Sequence, residues 1–461
     1  MSTARTAPIY LDATSVLRWG PNAPTGIPRI EASLIEAALV AEPDRAGLFG
    51  YDPTLNHCRV LDEEEKVFVR RAFAEQDSFS VDAARALGWW RRLRRVVALY
   101  RLNPFCIARE SHRSIAQYLV ASSGRSGPLY LIAKLAVRGA FAVVRGWRQL
   151  RRRHGVEDPL ADPGATCLLS INTAASLAKY AETRAVRCRM VLLVYDTTPL
   201  DFPELAAEGH GERFGQYFRY GVAHAAAIIC ISEATRGSVL AWMDRLRIAR
   251  GSRSVHVVPL ASSLSAERTP LVPVSELAGG PFVLYCATIE PRKNHALLLS
   301  VWSNLVRRHG RENLPTLVLV GRWGWRTEAT ARLLAQDRNL AGTVRIFSYL
   351  PDGQLAWLYR NALFTVFPSI AEGWGLGATE SLDAGTPVVV SDIPPLIEAS
   401  QGLMPRVAPA DAARWESTIE GLIFHPEERA ALKTAIEQRF RRRLPADVFA
   451  EIWQHLTVSE P

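Results

Sequence analysis

The chain has 461 residues, enough for two or three domains of about 100 to 200 residues each, which excludes a single small module. Hydrophobic residues make up 48% of the chain and charged residues 22%, so a disordered or fibrous protein is excluded as well. The net charge of +9 is concentrated in residues 85–153, which contain sixteen basic side chains and one acid, Glu110, so the rest of the chain is net acidic.

The cysteine pattern and the hydropathy indicate the compartment. Six cysteines are scattered without a C-x-x-C pair, which is typical of free thiols in a reducing environment. The segment MSTARTAPIYLDATS lacks the apolar stretch of a signal peptide, and there is no run of about 18 uncharged apolar residues. We therefore expect a cytoplasmic protein that does not span a membrane.

Apolar strand-like runs alternate with longer helical stretches in both halves of the chain, which predicts an α/β protein with two open parallel sheets. The predicted strands of the first half are Ile9–Ala13, Ala46–Tyr51, Cys167–Ile171, Met190–Tyr195, Ala227–Ile231 and Val255–Pro259. Those of the second half are Phe282–Ala287, Thr316–Val320, Val344–Phe347, Phe364–Phe367 and Pro387–Ser391. We place an N-terminal domain at residues 1–265, a linker around Ser262–Gly280, a C-terminal domain at 279–444, and a final helix at 445–461 that could pack on the N-terminal domain.

A basic helical insert, about residues 78–155, interrupts this alternation. Basic residues recur at helical spacing and predict one cationic helix face: Lys134, Arg138, Arg145, Arg148 and Arg152. Trp89, Trp90 and interleaved apolar residues favour contact with an anionic membrane surface. A solvated or subunit-facing helix pair and a nucleic-acid interface are the alternatives, and nucleic acid is the least favoured of the three.

Two adjacent cations follow the strand Phe282–Ala287. The segment TIEPRKN, Thr288–Asn294, places Arg292 and Lys293 at the edge where parallel sheets bind ligands. Such a pair can neutralise a diphosphate leaving group. The structural alternative is a solvated Arg-Lys pair in a turn.

The strongest motif is AEGWGLGATESLDAGTPVVVSD, Ala371–Asp392. Three glycines break the loop before the predicted helix: Gly373, Gly375 and Gly377. Glycines let the backbone approach a ligand closely, and the N–H groups at a helix start suit an anion or sugar hydroxyls. Glu372 and Glu380 bracket that start and suit a polyol, because a carboxylate accepts two hydroxyls at once. A helix-start turn with a dipole-favoured acid is the alternative.

Together these motifs resemble those of the family 4 glycosyltransferases, retaining enzymes of the GT-B architecture. TIEPRKN matches the family's E-x-R-K-N element, and EGWGLGATE matches its E-x7-E element, followed by the usual G-x-P-V-V-x-S. The resemblance covers about Gly279–Ser400 well, and Val191–Leu260 and the N-terminus more loosely. It implies two Rossmann-like domains that face a central cleft.

The resemblance also implies roles for residues of the C-terminal domain. Arg292 and Lys293 would hold the donor diphosphate, Glu372 the donor-sugar hydroxyls, and Glu380 the nucleotide ribose. Backbone N–H groups of the glycine loop would help to bind the sugar: Trp374, Gly375, Leu376 and Gly377. The residues beside the nucleobase would be Ser348, Tyr349 and Leu350, although a plain strand-to-helix connection explains that segment equally well.

Two segments of the N-terminal half complete the predicted site. TGIPR, Thr25–Arg29, resembles a family element at the cleft, where Gly26 would bring backbone to the diphosphate; a turn entering a helix is the alternative. VYDTTPLDFPEL, Val194–Leu205, aligns with a segment that often reads His-Asp. Tyr195 stands in the histidine's place, so Tyr195 or Asp196 would substitute, and Asp196 is the fourth predicted catalytic residue.

The predicted function is retaining transfer of a hexose from a nucleotide-diphosphate sugar to a glycan, with a lipid-linked oligosaccharide as acceptor. The TGIPR segment and the Tyr-Asp variant resemble mannosyltransferases of polysaccharide assembly, so GDP-mannose is the expected donor. No H-x3-H, H-E-x-x-H or D-x-D pattern occurs, so neither a metal nor another cofactor is expected. The enzyme would be peripheral on the inner face of the cytoplasmic membrane. The alternatives are a nucleotide-sugar epimerase, a phosphorolytic enzyme, and a non-catalytic scaffold that binds glycan or membrane.

Overall fold

A computed structural model shows the fold of residues 7–19, 26–52, 56–74, 87–102, 109–121, 127–151, 157–262, 264, 269–277 and 279–457. Within these ranges the chain forms two sheets, one in each half. The sheets consist of seven and six strands.

The first sheet belongs to the N-terminal domain and has the strand order β3-β2-β1-β4-β5-β6-β7. Its strands are β1 Ile9–Asp12, β2 Ala46–Asp52, β3 His57–Val60, β4 Thr166–Ser170, β5 Arg189–Val194, β6 Ala227–Cys230 and β7 Ser254–Val257. Only β3 runs antiparallel to its neighbour. The apolar runs of β4, β5 and β6 are buried along almost their whole length, as expected for strands that helices cover on both faces.

Helices surround this sheet and form the insert between β3 and β4. They are α1 Thr14–Trp19, α2 Gly26–Ala41, α3 Glu63–Ala74, α4 Trp89–Leu102, α5 Arg109–Val120, α6 Pro128–Arg151, α7 Ala174–Ala181, α8 Thr198–Asp201, α9 His210–His224 and α10 Glu233–Arg245. Three of them, α4, α5 and α6, lie in the predicted basic insert. No helix of the described ranges is long and apolar enough to cross a bilayer.

The second sheet belongs to the C-terminal domain and is parallel throughout, with the order β10-β9-β8-β11-β12-β13. Its strands are β8 Phe282–Cys286, β9 Thr316–Val320, β10 Val344–Phe347, β11 Thr365–Phe367, β12 Val388–Ser391 and β13 Arg406–Val407. Its helices are α11 His295–His309, α12 Glu328–Gln336, α13 Asp352–Asn361, α14 Leu376–Asp383, α15 Pro394–Ala399, α16 Ala412–Phe424 and α17 Pro426–Arg439. Residues that follow strands of the first sheet contact residues that follow strands of the second, because Ser232, after β6, donates to the carbonyl oxygen of Gly373, after β11.

The last helix, α18 Pro445–Thr457, returns to the N-terminal domain. Val448, Phe449 and Trp453 are buried in the core of that domain, together with Trp374 from the C-terminal domain. Arg189 at the start of β5 donates hydrogen bonds to the carbonyl oxygens of His455 and Leu456. The helix therefore ties the end of the described chain to the first sheet.

Two edge strands were not predicted from the sequence. The strand β3 reads HCRV, with a polar residue at every other position, and β13 has only two residues. Neither gives the continuous apolar run that marks a strand covered on both faces. Both lie at sheet edges, where strands can be short and polar.

Candidate active site

Three predicted residues of the C-terminal domain converge in one cluster. Arg292 Nη1 lies 2.8 Å from Glu372 Oε2, and the Lys293 ammonium pairs with the other oxygen of the same carboxylate. Arg292 Nε lies 2.6 Å from Glu290 Oε1, and its Nη1 also donates to the Ala371 carbonyl oxygen at 3.1 Å. Two cations and two acids therefore occupy a site between the end of β8 and the end of β11.

Local structure explains why these side chains meet. After β8 the chain makes a short 3₁₀ turn, Pro291–Lys293, in which the proline suits the first helical position. Asn294 follows in the left-handed region with φ 58°, and α11 then begins. The Tyr285 hydroxyl donates to the Lys293 carbonyl oxygen at 2.6 Å and holds the turn against the sheet. Lys293 and Arg292 are thereby fixed at the strand edge.

The electrostatics follow from burial in this cluster. Burial alone would raise the pKa of the Glu372 carboxyl, but Lys293 and Arg292 more than offset it and lower the pKa from 4.5 to about 2. Burial and the charge of Arg292 lower the pKa of Lys293 despite the neighbouring carboxylates. Burial alone would lower the pKa of Arg292, but the charges of Glu372 and Glu290 raise this pKa above its usual value. Glu372 is thus held ionised between two cations.

The glycine loop after Glu372 is shaped by close contacts. A Cβ on Gly375 would lie 2.4 Å from Leu396 Cδ2, and this residue has a φ of 115°, which favours glycine. A Cβ on Gly377 would lie 2.3 Å from the Phe367 ring. Trp374, directly before Gly375, is buried, and Leu376 begins α14. The loop therefore presents backbone, rather than side chains, close to the acid and cation cluster.

Glu380 lies apart from that cluster, on α14 and near the N-terminal domain. Its side chain is buried, and its charge acts on Arg29 of α2. Arg29 Nη2 donates to Asp352 Oδ1 at 2.6 Å, and Asp352 begins α13 just after Leu350. Ser348 and Tyr349 follow β10 and precede Leu350, so Arg29 lies near both the predicted base loop and the predicted ribose acid.

Gly26 begins α2 with a φ of 48°. A Cβ at this position would meet nothing within 4 Å, so its backbone conformation, and not crowding, favours glycine. Because Arg29 lies one turn further on and reaches Asp352, the start of α2 faces the C-terminal domain. Thr25, the first residue of the predicted TGIPR element, lies outside the described residues.

Asp196 is half-buried beside the cluster. Burial raises its pKa, the charge of Arg292 opposes this, and its Oδ1 accepts a hydrogen bond from the Thr198 N–H at 3.0 Å. Tyr195 points elsewhere, because its hydroxyl lies 3.2 Å from Glu31 Oε1 inside the N-terminal domain. Of the two residues predicted to replace a histidine, the structure therefore places Asp196 next to Arg292.

Sequence reasoning missed Arg29 and Glu31. Arg29 was part of a motif but had no assigned partner, and its partner Asp352 is 323 residues away. Glu31 carried a readable signal, since it falls among the apolar residues Ile30, Leu34 and Ile35 of an amphipathic helix. An acid at such a position is buried and needs an explanation.

The described residues contain no group of three or more His, Cys, Asp or Glu side chains that could hold a metal ion. His295 is buried at the start of α11 with its ring 4.6 Å from that of Tyr285. Burial and the charge of Lys293 lower the pKa of His295 to about 3, so this histidine is a neutral packing residue beneath the cluster.

The family of the C-terminal domain follows from comparison with known proteins. Residues 272–439 match the family described as Glycosyl transferases group 1. This part of the chain is a group 1 glycosyl transferase domain, and it contains Arg292, Lys293, Glu372 and Glu380. The glycosyltransferase resemblance predicted from the motifs is confirmed for this domain, and membership of family 4 stays a prediction.

Relatives extend the comparison. Over 57% of its length the chain is 27% identical to the serotype-specific mannosyltransferase WbdA of Escherichia coli, of which it covers 34%. Over 46% of its length it is 28% identical to the O-antigen chain mannosyltransferase B of Escherichia coli, of which it covers 55%. The chain thus spans between about a third and a half of these curated relatives.

A solved structure matches nearly the whole chain. Sucrose-phosphate synthase from Thermosynechococcus elongatus superposes with a TM-score of 0.57 and 16% sequence identity, over 97% of this chain and 98% of that one. At this level of identity the likeness concerns the fold. It confirms the predicted fold class, with two parallel-sheet domains in the GT-B arrangement.

Proposed function

We propose that the protein is a glycosyltransferase that moves a mannosyl residue from a nucleotide-diphosphate sugar, GDP-mannose in our hypothesis, to a hydroxyl of a growing glycan. The observation that carries this proposal is the convergence of Arg292 and Lys293 on Glu372 within a group 1 glycosyl transferase domain. The choice of mannose rests on the relatives WbdA and O-antigen chain mannosyltransferase B. Synthesis of a cell-surface polysaccharide is the process that such relatives suggest.

The proposed chemistry uses the two cations to stabilise the leaving group. The bond between the anomeric carbon and the diphosphate oxygen breaks, and the acceptor oxygen forms a new bond to that carbon. The acceptor's proton passes to an oxygen of the departing diphosphate. Negative charge grows on the diphosphate as the sugar becomes oxocarbenium-like, and Arg292, Lys293 and the amino end of α14 stabilise it.

Further details of the proposal concern stereochemistry and metal ions. We propose retention at the anomeric carbon, in line with the E-x7-E element formed by Glu372 and Glu380. Glu372 would accept hydrogen bonds from sugar hydroxyls, while Arg292 and Lys293 contact both Glu372 and the diphosphate. Glu380 would accept hydrogen bonds from ribose hydroxyls. Because Arg292 and Lys293 supply the positive charge at the leaving group, the proposed reaction needs no metal ion.

The test is a transfer assay with purified protein. GDP-mannose and, separately, UDP-, ADP- and dTDP-hexoses are incubated with an α-mannoside oligosaccharide, with and without EDTA. The proposal predicts an acceptor one hexose heavier, an anomeric configuration that matches the donor by NMR, and no effect of EDTA. A new nucleotide sugar formed without acceptor would instead identify an epimerase. A sugar phosphate formed only with inorganic phosphate would identify a phosphorolytic enzyme. No turnover would identify a scaffold.

The same assay examines the cation pair. Lys293→Ala should lower turnover by roughly 10²–10³-fold, the usual effect of removing one group that stabilises transition-state charge. Lys433→Ala, on the exposed surface of α17, is the matched control and should leave turnover unchanged. Equal rates in the Lys293 variant and the wild type would contradict the assigned role.

We also propose that the acceptor is lipid-linked and that α6 places the enzyme on an anionic membrane surface, the inner face of the cytoplasmic membrane. Large apolar side chains of α6 are strongly exposed: Leu129 at 72%, Ile132 at 62%, Leu135 at 65% and Val143 at 72%. Leu129, Ile132 and Val143 recur at helical spacing on one stripe, and Lys134 and Arg138 lie on the same helix. Apolar and basic residues on one exposed helix are typical of interfacial membrane binding.

The neighbouring helix α4 supports the same proposal. Trp89 and Trp90 are 51% and 71% exposed at its amino end and contact each other edge to face. Tryptophan is favoured at membrane interfaces, where its ring meets apolar chains and its N–H meets water. Nucleic acid remains the less favoured partner, because it would use the cations but not the apolar stripe.

A further inference from the structure

The amino end of α10, in the N-terminal domain, is capped partly by the C-terminal domain. Ser232 is the N-cap residue, and its hydroxyl oxygen accepts the Thr235 N–H at 2.9 Å. The N–H groups of Glu233 and Ala234 donate to the two carboxylate oxygens of Glu398 at 2.7 and 2.8 Å. The first N–H groups of a helix have no partner within the helix. In α10, Ser232 of the same helix end accepts one of these N–H groups, and Glu398 on α15 of the other domain accepts two.

The same helix end holds the glycine loop of the active site. Ser232 Oγ donates to the Gly373 carbonyl oxygen at 2.8 Å, and Thr235 Oγ1 lies 3.3 Å from that oxygen. Gly373 directly follows Glu372, the acid between Arg292 and Lys293. The backbone that carries this acid is therefore anchored to the N-terminal domain.

Steric contact fixes Gly373 as well. A Cβ on this residue would lie 2.0 Å from the Tyr195 carbonyl oxygen and 2.8 Å from Asp196 Cβ. Only glycine lets the loop approach the end of β5 this closely. Glu372 is thus positioned by a hydrogen bond on one side and by backbone packing on the other, and both come from the opposite domain.

Polar contacts and apolar packing both join the domains beside Glu398, because Trp374 and Ala399 are buried in the hydrophobic core of the N-terminal domain. A cavity of about 260 Å³ lies there, lined by residues of both domains that include Leu260, Trp374, Thr379 and Glu398. Close packing is therefore incomplete at this boundary. The capping of α10 by Glu398 and the hydrogen bond from Ser232 to Gly373 are two of the contacts that depend on how the domains are arranged.

We propose that the amino end of α10 is a positioning element for the active-site acid, with Ser232, Thr235 and Glu398 as positioning residues. When the domains come together, Glu398 caps α10 and Ser232 donates a hydrogen bond to the Gly373 carbonyl oxygen. Glu372 is then placed so that it aligns Arg292 and Lys293 for the donor diphosphate. When they separate, all of these contacts break at once. Affinity for the donor diphosphate therefore depends on these contacts. This inference rests on the proposed function for the identity of the ligand.

The test compares variants of this contact with a cap that lies within one domain. Three variants weaken the interdomain hydrogen bonds of Ser232 and Glu398 to different extents: Ser232→Ala, Glu398→Ala and Glu398→Gln. A fourth, Ser232→Thr, keeps the hydroxyl. Asp411→Ala is the matched control, because Asp411 caps α16 by accepting the Arg414 N–H at 3.0 Å without reaching the other domain. Affinity for GDP and UDP is measured by calorimetry, domain separation by small-angle X-ray scattering, and stability by thermal unfolding.

We expect the Ser232→Ala and Glu398 variants to bind nucleoside diphosphate about 5-fold or more weakly and to show a larger radius of gyration, because the closed form is less populated. Ser232→Thr should behave like the wild type, and Asp411→Ala should lower the melting temperature alone. Unchanged affinity and scattering in both Glu398 variants would overturn the inference, as would an equal loss of affinity in Asp411→Ala. If the wild type transfers no sugar, that result counts against the proposed function only. The scattering comparison still tests whether Ser232 and Glu398 hold the two domains together.

Discussion

Glu31 is a buried carboxyl group that the proposed chemistry does not use. Burial, and then the charge of Asp12, raise its pKa from 4.5 to about 8, although the Tyr195 hydroxyl partly opposes this. The folded protein therefore keeps a proton on Glu31 between pH 4.5 and about 8, whereas the unfolded chain has released it. In that window stability falls as pH rises, because the native state binds more protons.

Replacing Glu31 should remove this pH dependence. Between pH 5 and pH 8 the melting temperature of Glu31→Gln should fall less than that of the wild type. At pH 8 the free energy of unfolding of the variant should exceed that of the wild type by about 1 kcal/mol or more. Glu36→Gln is the control, since Glu36 is exposed on the same helix. The measurement is thermal unfolding of the three proteins at both pH values. Parallel curves for all three would show that Glu31 is ionised in the native protein.

Predictability at the residue scale depends on sequence distance. Arg292 and Lys293 lie in one short motif, and Glu372 begins another, so the resemblance of the two motifs to one family predicted a joint site. The partners of Glu31, Arg29 and Ser232 are separated from them by 164, 323 and 141 residues. No local pattern links such pairs, because the Glu31 contact needs the folded N-terminal domain, and the Arg29 and Ser232 contacts need both domains placed together.

At the scale of elements, α6 is the helix with an unusual surface. Its exposed apolar stripe would cost free energy in water, which is why we propose a membrane surface as its partner. Helices such as α6 and α14 were predicted from periodicity and glycine punctuation. The edge strands β3 and β13 were not, because a strand at an edge does not need the apolar run that burial imposes.

Vesicle binding tests the role of α6. The wild type should sediment with phosphatidylglycerol-containing vesicles and bind pure phosphatidylcholine vesicles more weakly, since cations near an anionic surface contribute about 1 kcal/mol each. Ile132→Asn with Leu135→Asn should reduce binding by about 10-fold or more, because two large apolar side chains no longer enter the interface. Val40→Asn is the control, since Val40 is 77% exposed on α2. Equal binding by both variants would remove the support for a membrane partner.

At the scale of the whole molecule, the site is completed by both domains. The C-terminal domain supplies the cations and acids, and the N-terminal domain supplies Arg29, Asp196 and the amino end of α10. The alternation of strands and helices predicted the two sheets, because parallel strands covered on both faces are continuously apolar. It could not predict the contacts across the cleft, which depend on the relative placement of two separately folded units.

The central claim is that Arg292 and Lys293 form a diphosphate site. Its most direct test is a calorimetric comparison of nucleoside diphosphates with the corresponding monophosphates, for guanosine, uridine and adenosine, on the wild type and on Lys293→Ala. For the base that binds, we predict that the wild type holds the diphosphate about ten times or more tightly than the monophosphate, because charge-assisted hydrogen bonds to the second phosphate are gained. We also predict that this ratio falls towards one in Lys293→Ala. An equal ratio in both proteins, or no preference for the diphosphate in the wild type, would contradict the account.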